Sequence, residues 1–236
     1  MQRYFCSSTN GIYTLSKEDS YHITKVMRYS IGEKLEIVDN CKLYIAEIIE
    51  ISPLVIAKQM EKIEVVDNSI NVVVVQSLVN EQKMDYILQK GTELGAKEFI
   101  PLITERSVVK VNDKINKKID RWNTITKEAS EQSKRLSIPK VNKPHTIKEL
   151  LALDYDYKIL CSVNEVSKSI KTVLSNIKES DRILVVIGPE GGFTKEEENK
   201  LIEGGFVSVS LGDRVLRTET ASLFVLSIIN YIFMRW

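Results

Sequence analysis

The chain of 236 residues is long enough for one large or two modest domains, and its 43% apolar content excludes a largely disordered protein. The formal net charge is +1, yet residues 106–148 carry twelve Lys or Arg against four Asp or Glu, a local excess of +8. Such a basic band can neutralise phosphates of a nucleic acid, although a solvated helix face would have the same composition.

Cysteine usage and hydropathy indicate where the protein works. Cys6, Cys41 and Cys161 form no CxxC pair, which suits a reducing compartment and argues against zinc. No apolar stretch follows a basic segment near the start, so we expect no secretory signal and a cytoplasmic protein. The most apolar segment, residues 221–234, is shorter than the roughly 20 residues needed to cross a bilayer, so no membrane association is predicted. This segment is interpreted as a helix that other surfaces, such as a partner subunit, cover on several sides.

Residues 1–68 predict a small, mainly β domain. The predicted strands, rich in Ile, Val and Leu, are residues 34–39, 43–51 and 54–60. Turn-forming pairs at residues 39–40 and 52–53 separate these strands. A short helix precedes them, and Ser16 is placed to cap its first turn.

A second domain, residues 69–236, is predicted after the polar stretch at residues 66–69, because strand and helix patterns then alternate. The predicted strands are residues 70–75, 99–103, 157–163, 183–187 and 206–211. A helix with Val166 in its apolar stripe is expected between the third and fourth strands, and a capping box of Thr194 and Glu197 starts the next helix. This alternation predicts an α/β domain with a mainly parallel sheet and helices on both faces.

Two loops rich in glycine follow predicted strands. Residues 188–193 come directly after the strand at 183–187, and residues 211–218 follow the strand at 206–211. Ligands of open α/β sheets bind beyond the carboxyl ends of strands, and adjacent glycines leave main-chain groups free to hold a flat adenine. Neither loop fits a Walker A or GxGxxG pattern, which argues against ATP and dinucleotides. Two tight turns without a ligand are the alternative.

Several separate segments are similar in wording to one known family. GPEGGF at residues 188–193 and LRTETA at residues 216–221 occur in that order, separated by one predicted helix and one predicted strand. Further similar segments lie at residues 2–5, 22–28, 89–95, 105–107 and 128–135. Together they resemble the RsmE family of 16S rRNA (uracil-N3)-methyltransferases, in the SPOUT superfamily. The chain departs from the family at Gly91 and Met27, where Ala and Leu are more usual.

The resemblance implies a fold and a reaction. The expected fold is a PUA-like β-barrel that helps to hold RNA, followed by a SPOUT domain with a C-terminal trefoil knot that packs as a homodimer. The expected reaction is methylation of N3 of uridine 1498 in 16S rRNA, free or in the 30S subunit, with S-adenosylmethionine (SAM) as methyl donor and no metal. The residues expected to bind SAM are Ile187, Gly188, Pro189, Glu190, Gly191, Gly192, Leu211, Gly212, Val215, Leu216, Arg217 and Thr218.

Catalytic candidates follow from the chemistry of this reaction. Uracil N3 carries a proton in neutral solution, so the enzyme must remove it and stabilise the charge that spreads over the neighbouring carbonyl oxygens. Arg217 is the candidate for that stabilisation, since its planar donors match an imidate oxygen. Glu219 is the second catalytic candidate, although a carboxylate in a first helical turn also suits the helix dipole, and Glu190 has the same ambiguity. The residues expected to contact RNA are Arg3, Arg28, Arg106, Gln132 and Arg135.

Two other functions remain compatible with parts of this pattern. Another SPOUT methyltransferase, acting on a ribose 2'-hydroxyl or on tRNA, would share the fold but lack the RTET wording. A non-catalytic RNA-binding or ribosome-associated protein would keep the basic helix and the small β domain, and would have no need of two glycine-rich loops.

Overall fold

The computed structural model describes residues 1–65, 70–107, 109 and 114–233. The chain forms two compact units. The first consists of Met1–Asp67 and Ser130–Ile138, and the second of Asn68–Ala129 and Pro139–Trp236. The predicted boundary after residue 68 lies outside the described residues.

The first unit is built on a six-stranded mixed sheet with the strand order β1-β4-β5-β6-β3-β2. Its elements are β1 (Arg3–Phe5), β2 (Ser8–Thr9), β3 (Ile12–Thr14), α1 (Lys17–Tyr21), a π-helical turn (His22–Val26), β4 (Lys34–Asp39), β5 (Lys42–Glu50) and β6 (Ile56–Ile63). β1 pairs with β4 in parallel, and the other pairs are antiparallel. The predicted small β unit is therefore confirmed, as a curled mixed sheet.

The first unit follows local rules that the sequence contains. The Ser16 side chain accepts a hydrogen bond from the main-chain nitrogen of Asp19 at 3.0 Å and so caps α1 as predicted. Alternate residues of β4, Leu35 and Ile37, are fully buried with Tyr4 in the core of this unit. The predicted strand at residues 34–39 is β4 itself.

The second unit contains a six-stranded sheet with the order β12-β10-β11-β7-β8-β9, and all its strand pairs are parallel. Its strands are β7 (Val72–Ser77), β8 (Glu98–Leu102), β9 (Lys140–Val141), β10 (Tyr157–Cys161), β11 (Ile183–Ile187) and β12 (Val207–Val209). Its helices are α2 (Glu81–Glu93), α3 (Ile115–Gln132), α4 (Ile147–Leu151), α5 (Ile170–Leu174), α6 (Lys195–Glu203) and α7 (Thr218–Phe233). The predicted parallel α/β domain is confirmed.

Both faces of this parallel sheet are buried. Along β7, Val72 and Val74 belong to one apolar core, which also contains residues of α2, α3, α5 and α7. Val73 and Val75 belong to a second core with residues of α4 and α6. Successive strand residues point to opposite faces, so an unbroken apolar run is the pattern expected of a doubly covered strand.

Helix α7 packs closely on its own domain along one side. Val225, Leu226 and Ile229 are buried, and an added Cβ at Gly91 of α2 would lie 2.9 Å from the Phe99 ring and 3.4 Å from Leu226 Cδ1. Glycine at position 91 therefore permits this close approach of α2. The side of α7 with Phe224, Tyr231 and Ile232 is exposed in the single chain.

In the part of the chain that the structure describes, none of the helices is sufficiently long and apolar to span a bilayer.

One predicted helix is wrong at its start. Val166 was expected in its apolar stripe, but this side chain is 91% exposed and lies in the loop after β10, and α5 begins only at Ile170. The carboxylate of Glu165 accepts hydrogen bonds from the main-chain nitrogens of Ser167 and Lys168, at 2.8 and 3.0 Å, which folds a turn instead of a helix. These contacts, with the Ser167 hydroxyl bond foremost, lower the pKa of Glu165 to about 2. β10 ends at Cys161, two residues before the predicted end of this strand, and residues 162–168 form a loop.

Candidate active site

A cavity of about 860 Å³ lies at the carboxyl ends of β10, β11 and β12, three neighbouring strands of the parallel sheet. The loop after each of these strands contributes to its lining, together with Lys83 and Arg106. A volume of this size is typical of small-molecule sites, and this edge of an open parallel sheet is where ligands bind. All twelve residues predicted to bind SAM line this cavity, and so do Ser162, Val163, Asn164, Glu165 and Val166.

The first loop, residues 188–193, folds back on itself before α6 begins. The main-chain nitrogen of Gly192 donates to Pro189 O at 2.9 Å, and the buried Phe193 ring packs against Gly188. The predicted capping box of α6 is present, since Thr194 and Glu197 each accept a hydrogen bond from the other's main-chain nitrogen. The loop is therefore held at both ends, by β11 and by a capped helix.

The second loop, residues 211–217, joins β12 to α7. Gly212 has a φ of +118°, a conformation that side chains rarely adopt, so the turn requires glycine. Its main-chain nitrogen donates to Ser210 Oγ at 3.2 Å. Val215 and Arg217 are exposed along the cavity lining. Both loops thus offer main-chain groups and apolar side chains to the cavity, which fits a nucleoside ligand.

The two loops are joined where α7 begins. The Thr218 hydroxyl donates to Gly188 O at 2.6 Å, which ties the first residue of α7 to the first residue after β11. Thr218 is 7% exposed, and both residues of this hydrogen bond line the cavity. The hydrogen bond therefore connects the starts of the two cavity-lining segments directly.

Lys83, on the first turn of α2, brings a cation and two carboxylates together. Its Nζ lies 2.9 Å from Glu190 Oε1 and 3.7 Å from Glu219 Oε2. The hydrogen bond with Glu190 raises the pKa of Lys83, and the charges of Glu190 and Glu219 act in the same direction, whereas the charge of Arg217 opposes them. Lys83 is therefore a protonated ammonium at neutral pH.

The structure separates the two catalytic candidates. Arg217 is among the residues that line the cavity, and Glu219 is not, as far as the described residues define it. The Glu219 side chain is only 16% exposed, and its Oε2 has no hydrogen-bond partner within the described chain. The cation beside it is Lys83, whose Nζ lies 3.7 Å from this oxygen. Glu219 is thus placed to stabilise the positive charge of Lys83.

Arg106 contacts the first loop directly. Its Nη1 donates to Gly191 O at 2.9 Å and to Phe193 O at 3.2 Å. The neighbouring main-chain nitrogen of Glu105 donates to Glu197 Oε1 at 2.8 Å. Arg106 therefore holds residues 188–193 from the side, in addition to the RNA contact predicted for it.

The other predicted RNA contacts belong to the first unit. Arg3 is 6% exposed, its Nε lies 2.8 Å from Glu36 Oε2, and its Nη1 donates to the main-chain oxygens of Lys134 and Arg135. These contacts give Arg3 a structural role in the first unit, and its phosphate contact stays a prediction. Arg28 is exposed at a φ of +56°, two residues after the last residue of the π-helical turn. Gln132 is exposed, and Arg135 is half-buried with its Nε donating to Ser137 O at 3.3 Å.

Lys83 and the loop after β10 were missed by the sequence analysis. Ser162 and Asn164 of that loop donate to the carboxylate of Glu198 on α6, at 2.6 and 3.1 Å. The available signal was that polar residues follow the strand predicted at 157–163, at the same edge of the sheet as the two glycine-rich loops. Among the described residues, no three His, Cys, Asp or Glu side chains are grouped so that they could hold a metal ion.

Comparisons with known proteins identify the family of this chain. Residues 66–230 match the family model of the RNA methyltransferase domain, and residues 15–56 match that of the RNA methyltransferase PUA domain. The ribosomal RNA small subunit methyltransferase E of Bacillus subtilis is 37% identical over 98% of this chain and 96% of that protein.

Two solved structures that contain SAM have the same fold. A putative methyltransferase from Legionella pneumophila, in complex with SAM, aligns with a TM-score of 0.90 at 29% identity over 98% of each chain. The ribosomal RNA small subunit methyltransferase E of Neisseria gonorrhoeae, bound to SAM, aligns with a TM-score of 0.87 at 30% identity over 98% of each chain. The family predicted from GPEGGF and LRTETA is thus confirmed: the chain belongs to the ribosomal RNA small subunit methyltransferase E family.

Proposed function

We propose that this protein transfers a methyl group from SAM to N3 of uridine 1498 in 16S rRNA. The observation that carries the proposal is that both glycine-rich loops and the Arg217 side chain line one cavity at the carboxyl edge of the parallel sheet. The relatives from Bacillus subtilis and Neisseria gonorrhoeae are named ribosomal RNA small subunit methyltransferase E, and the latter is bound to SAM.

The cavity fits SAM by size and by the chemistry of its lining. Residues 188–192 and 211–218 would hold the nucleoside by main-chain hydrogen bonds and apolar contacts, since Gly212 and its neighbours leave the main chain uncovered. When bound, SAM supplies a methyl carbon that its sulfonium already activates. The protein's part is then to align the uracil ring and to manage its charge.

Arg217 would stabilise the uracil ring as N3 loses its proton. The negative charge spreads over the two carbonyl oxygens beside N3, and the guanidinium offers planar donors to one of them. Lys83, kept protonated by Glu190, adds a second positive charge to the lining. Of the two carboxylates proposed to accept the N3 proton, Glu190 and Glu219, Glu190 is better placed because it lines the cavity.

The proposal includes the substrate, the assembly and the location. The substrate is 16S rRNA, free or within the 30S subunit, and Arg28, Arg106, Gln132 and Arg135 are proposed to contact it in the cytoplasm. The exposed side of α7 with Phe224, Tyr231 and Ile232 would pack against a second copy of the chain in a homodimer. The trefoil knot and a barrel-like first unit are part of the same proposal.

A direct assay tests the reaction. Unmodified 30S subunits and free 16S rRNA are incubated with the protein and SAM, and their nucleosides are analysed by mass spectrometry. We expect 3-methyluridine, and none when position 1498 carries cytidine. A 2'-O-methylated nucleoside, or product on tRNA only, would favour another SPOUT methyltransferase. Failure to bind SAM in calorimetry would favour a non-catalytic RNA-binding protein.

A further inference from the structure

A polar side chain follows the four valines of β7. β7 reads Val-Val-Val-Val-Gln-Ser, and Gln76 is 0% exposed. A primary amide at full burial is costly unless its groups are hydrogen-bonded. Gln76 pairs in register with Ile187, the residue directly before the first glycine-rich loop. The amide therefore lies at the carboxyl edge of the sheet, next to the cavity.

The amide makes three hydrogen bonds, and a fourth hydrogen bond, from Thr218, continues from it to the first glycine-rich loop. Gln76 Nε2 donates to Thr218 Oγ1 at 2.9 Å and to Ser77 O at 3.1 Å. Gln76 Oε1 accepts from the hydroxyl of Ser222 at 2.5 Å. Thr218 in turn donates to Gly188 O at 2.6 Å. The chain of bonds runs from α7 through β7 to the first residue after β11.

The direction of this chain is fixed by one main-chain oxygen. Ser77 O can only accept, so the neighbouring atom of the Gln76 amide must be the nitrogen. The amide oxygen then faces Ser222, and Thr218 Oγ1 must accept a hydrogen bond from Gln76 Nε2. Because a hydroxyl has only one hydrogen, Thr218 uses it in the hydrogen bond to Gly188 O, and its side chain cannot also donate to a ligand.

We propose that Gln76 is a positioning residue of the SAM site, acting through Thr218 and Ser222. It sets the distance between residues 188–193 and residues 211–217, so that both loops contact one ligand at the same time. This inference rests on the proposed function and adds to it a buried residue that touches neither SAM nor RNA. Its loss should weaken SAM affinity more than it weakens the use of RNA.

A double-mutant cycle tests this coupling. Gln76→Met removes the amide at similar volume, and Thr218→Val removes the hydroxyl at similar shape, whereas Thr218→Ser keeps the hydroxyl. We expect the Kd for SAM, measured by calorimetry, to rise about tenfold for Gln76→Met and for Thr218→Val, and to stay near wild type for Thr218→Ser. The double variant should bind SAM about as weakly as either single variant, because both changes break one chain.

Three further measurements make the test decisive. Ser175→Ala, at an exposed serine after α5 whose hydroxyl bonds only to Thr172 O at 2.9 Å among its described contacts, is the control and should leave the Kd unchanged. Thermal melting shows that each variant is folded at the assay temperature, and the KM for RNA should stay within about twofold of wild type.

Two outcomes would overturn the inference. Melting temperatures that fall while the Kd for SAM stays constant would give Gln76 a purely structural role. Effects on the Kd that multiply in the double variant would show that the two side chains act independently. Absence of SAM binding by the wild type is a different result, since it would refute the proposed function itself and this inference with it.

Discussion

Arg217→Ala should lower the rate of methyl transfer about 10²- to 10³-fold while leaving the Kd for SAM within about twofold of wild type. We propose that the guanidinium stabilises the charge that develops on the uracil ring, and that SAM is held mainly by the main chain of residues 188–193 and 211–217. Removal of the side chain therefore affects the transition state more than the bound cofactor. Single-turnover methylation of 30S subunits gives the rate, and calorimetry gives the Kd.

Two variants calibrate this result. Arg217→Lys keeps the charge and loses the planar pair of donors, so an intermediate rate is expected. Arg182→Ala removes the same side chain from an exposed position just before β11, where it pairs with Asp154 and Asp156, and should leave the rate unchanged. Full turnover by Arg217→Ala would exclude the role assigned to it. A loss of SAM affinity as large as the loss of rate would instead place the side chain at the cofactor.

Glu197→Ala should lower the free energy of unfolding by about 3 kcal/mol, a large part of the total stability of a typical domain. The Glu197 carboxylate is buried and accepts hydrogen bonds from the main-chain nitrogens of Thr194 and Glu105, at 2.9 and 2.8 Å. Its removal leaves both donors without that acceptor, and an unpartnered donor at the buried Thr194 is expensive. SAM affinity should fall as well, because Arg106, next to Glu105, holds the first loop.

Urea denaturation of matched variants measures this effect. Glu196→Ala changes an exposed carboxylate in the same helical turn and should shift the free energy of unfolding by less than about 0.5 kcal/mol. Glu197→Gln keeps one acceptor oxygen and should fall between the two. Equal stability of the Glu196 and Glu197 variants would show that the buried capping box contributes little.

Elements bounded by turn residues could be predicted from the sequence. The strand predictions at residues 34–39 and 183–187 coincide with β4 and β11, because each run is uniformly apolar or alternating and ends at a turn. The three strands β1, β2 and β3 were not predicted. They are two or three residues long, too short for a periodic pattern. β1 and β3 also pair with strands far along the chain, such as Glu36 for Arg3 and Lys58 for Ile12.

The composition of the first unit also depends on contacts that no local pattern contains. Residues 130–138 belong to it, and Leu136 packs against Val38 and Leu43 there. The same distance along the chain explains the burial of Arg3. Its position near the start predicts a phosphate contact, whereas its structural partners are Glu36 and the main chain near residue 134.

The candidate site divides in the same way. The two glycine-rich loops could be predicted, because their function lies in the main chain and the motif is continuous in sequence. The proposed role of Gln76 could not be predicted from a continuous motif, since it depends on a hydrogen bond to Thr218, 142 residues further along the chain. The place of Lys83 in the site likewise could not be predicted, because it depends on β7 and β11 being neighbours in the sheet. This pairing brings the start of α2 beside Glu190.

A crystal structure of the protein with SAM tests the central claim most directly. We predict one SAM molecule between residues 188–193 and 211–217, held by main-chain hydrogen bonds, with its methyl carbon facing open space beside the Arg217 side chain. SAM bound elsewhere on the chain, or both loops without SAM at a concentration that saturates methylation, would contradict it.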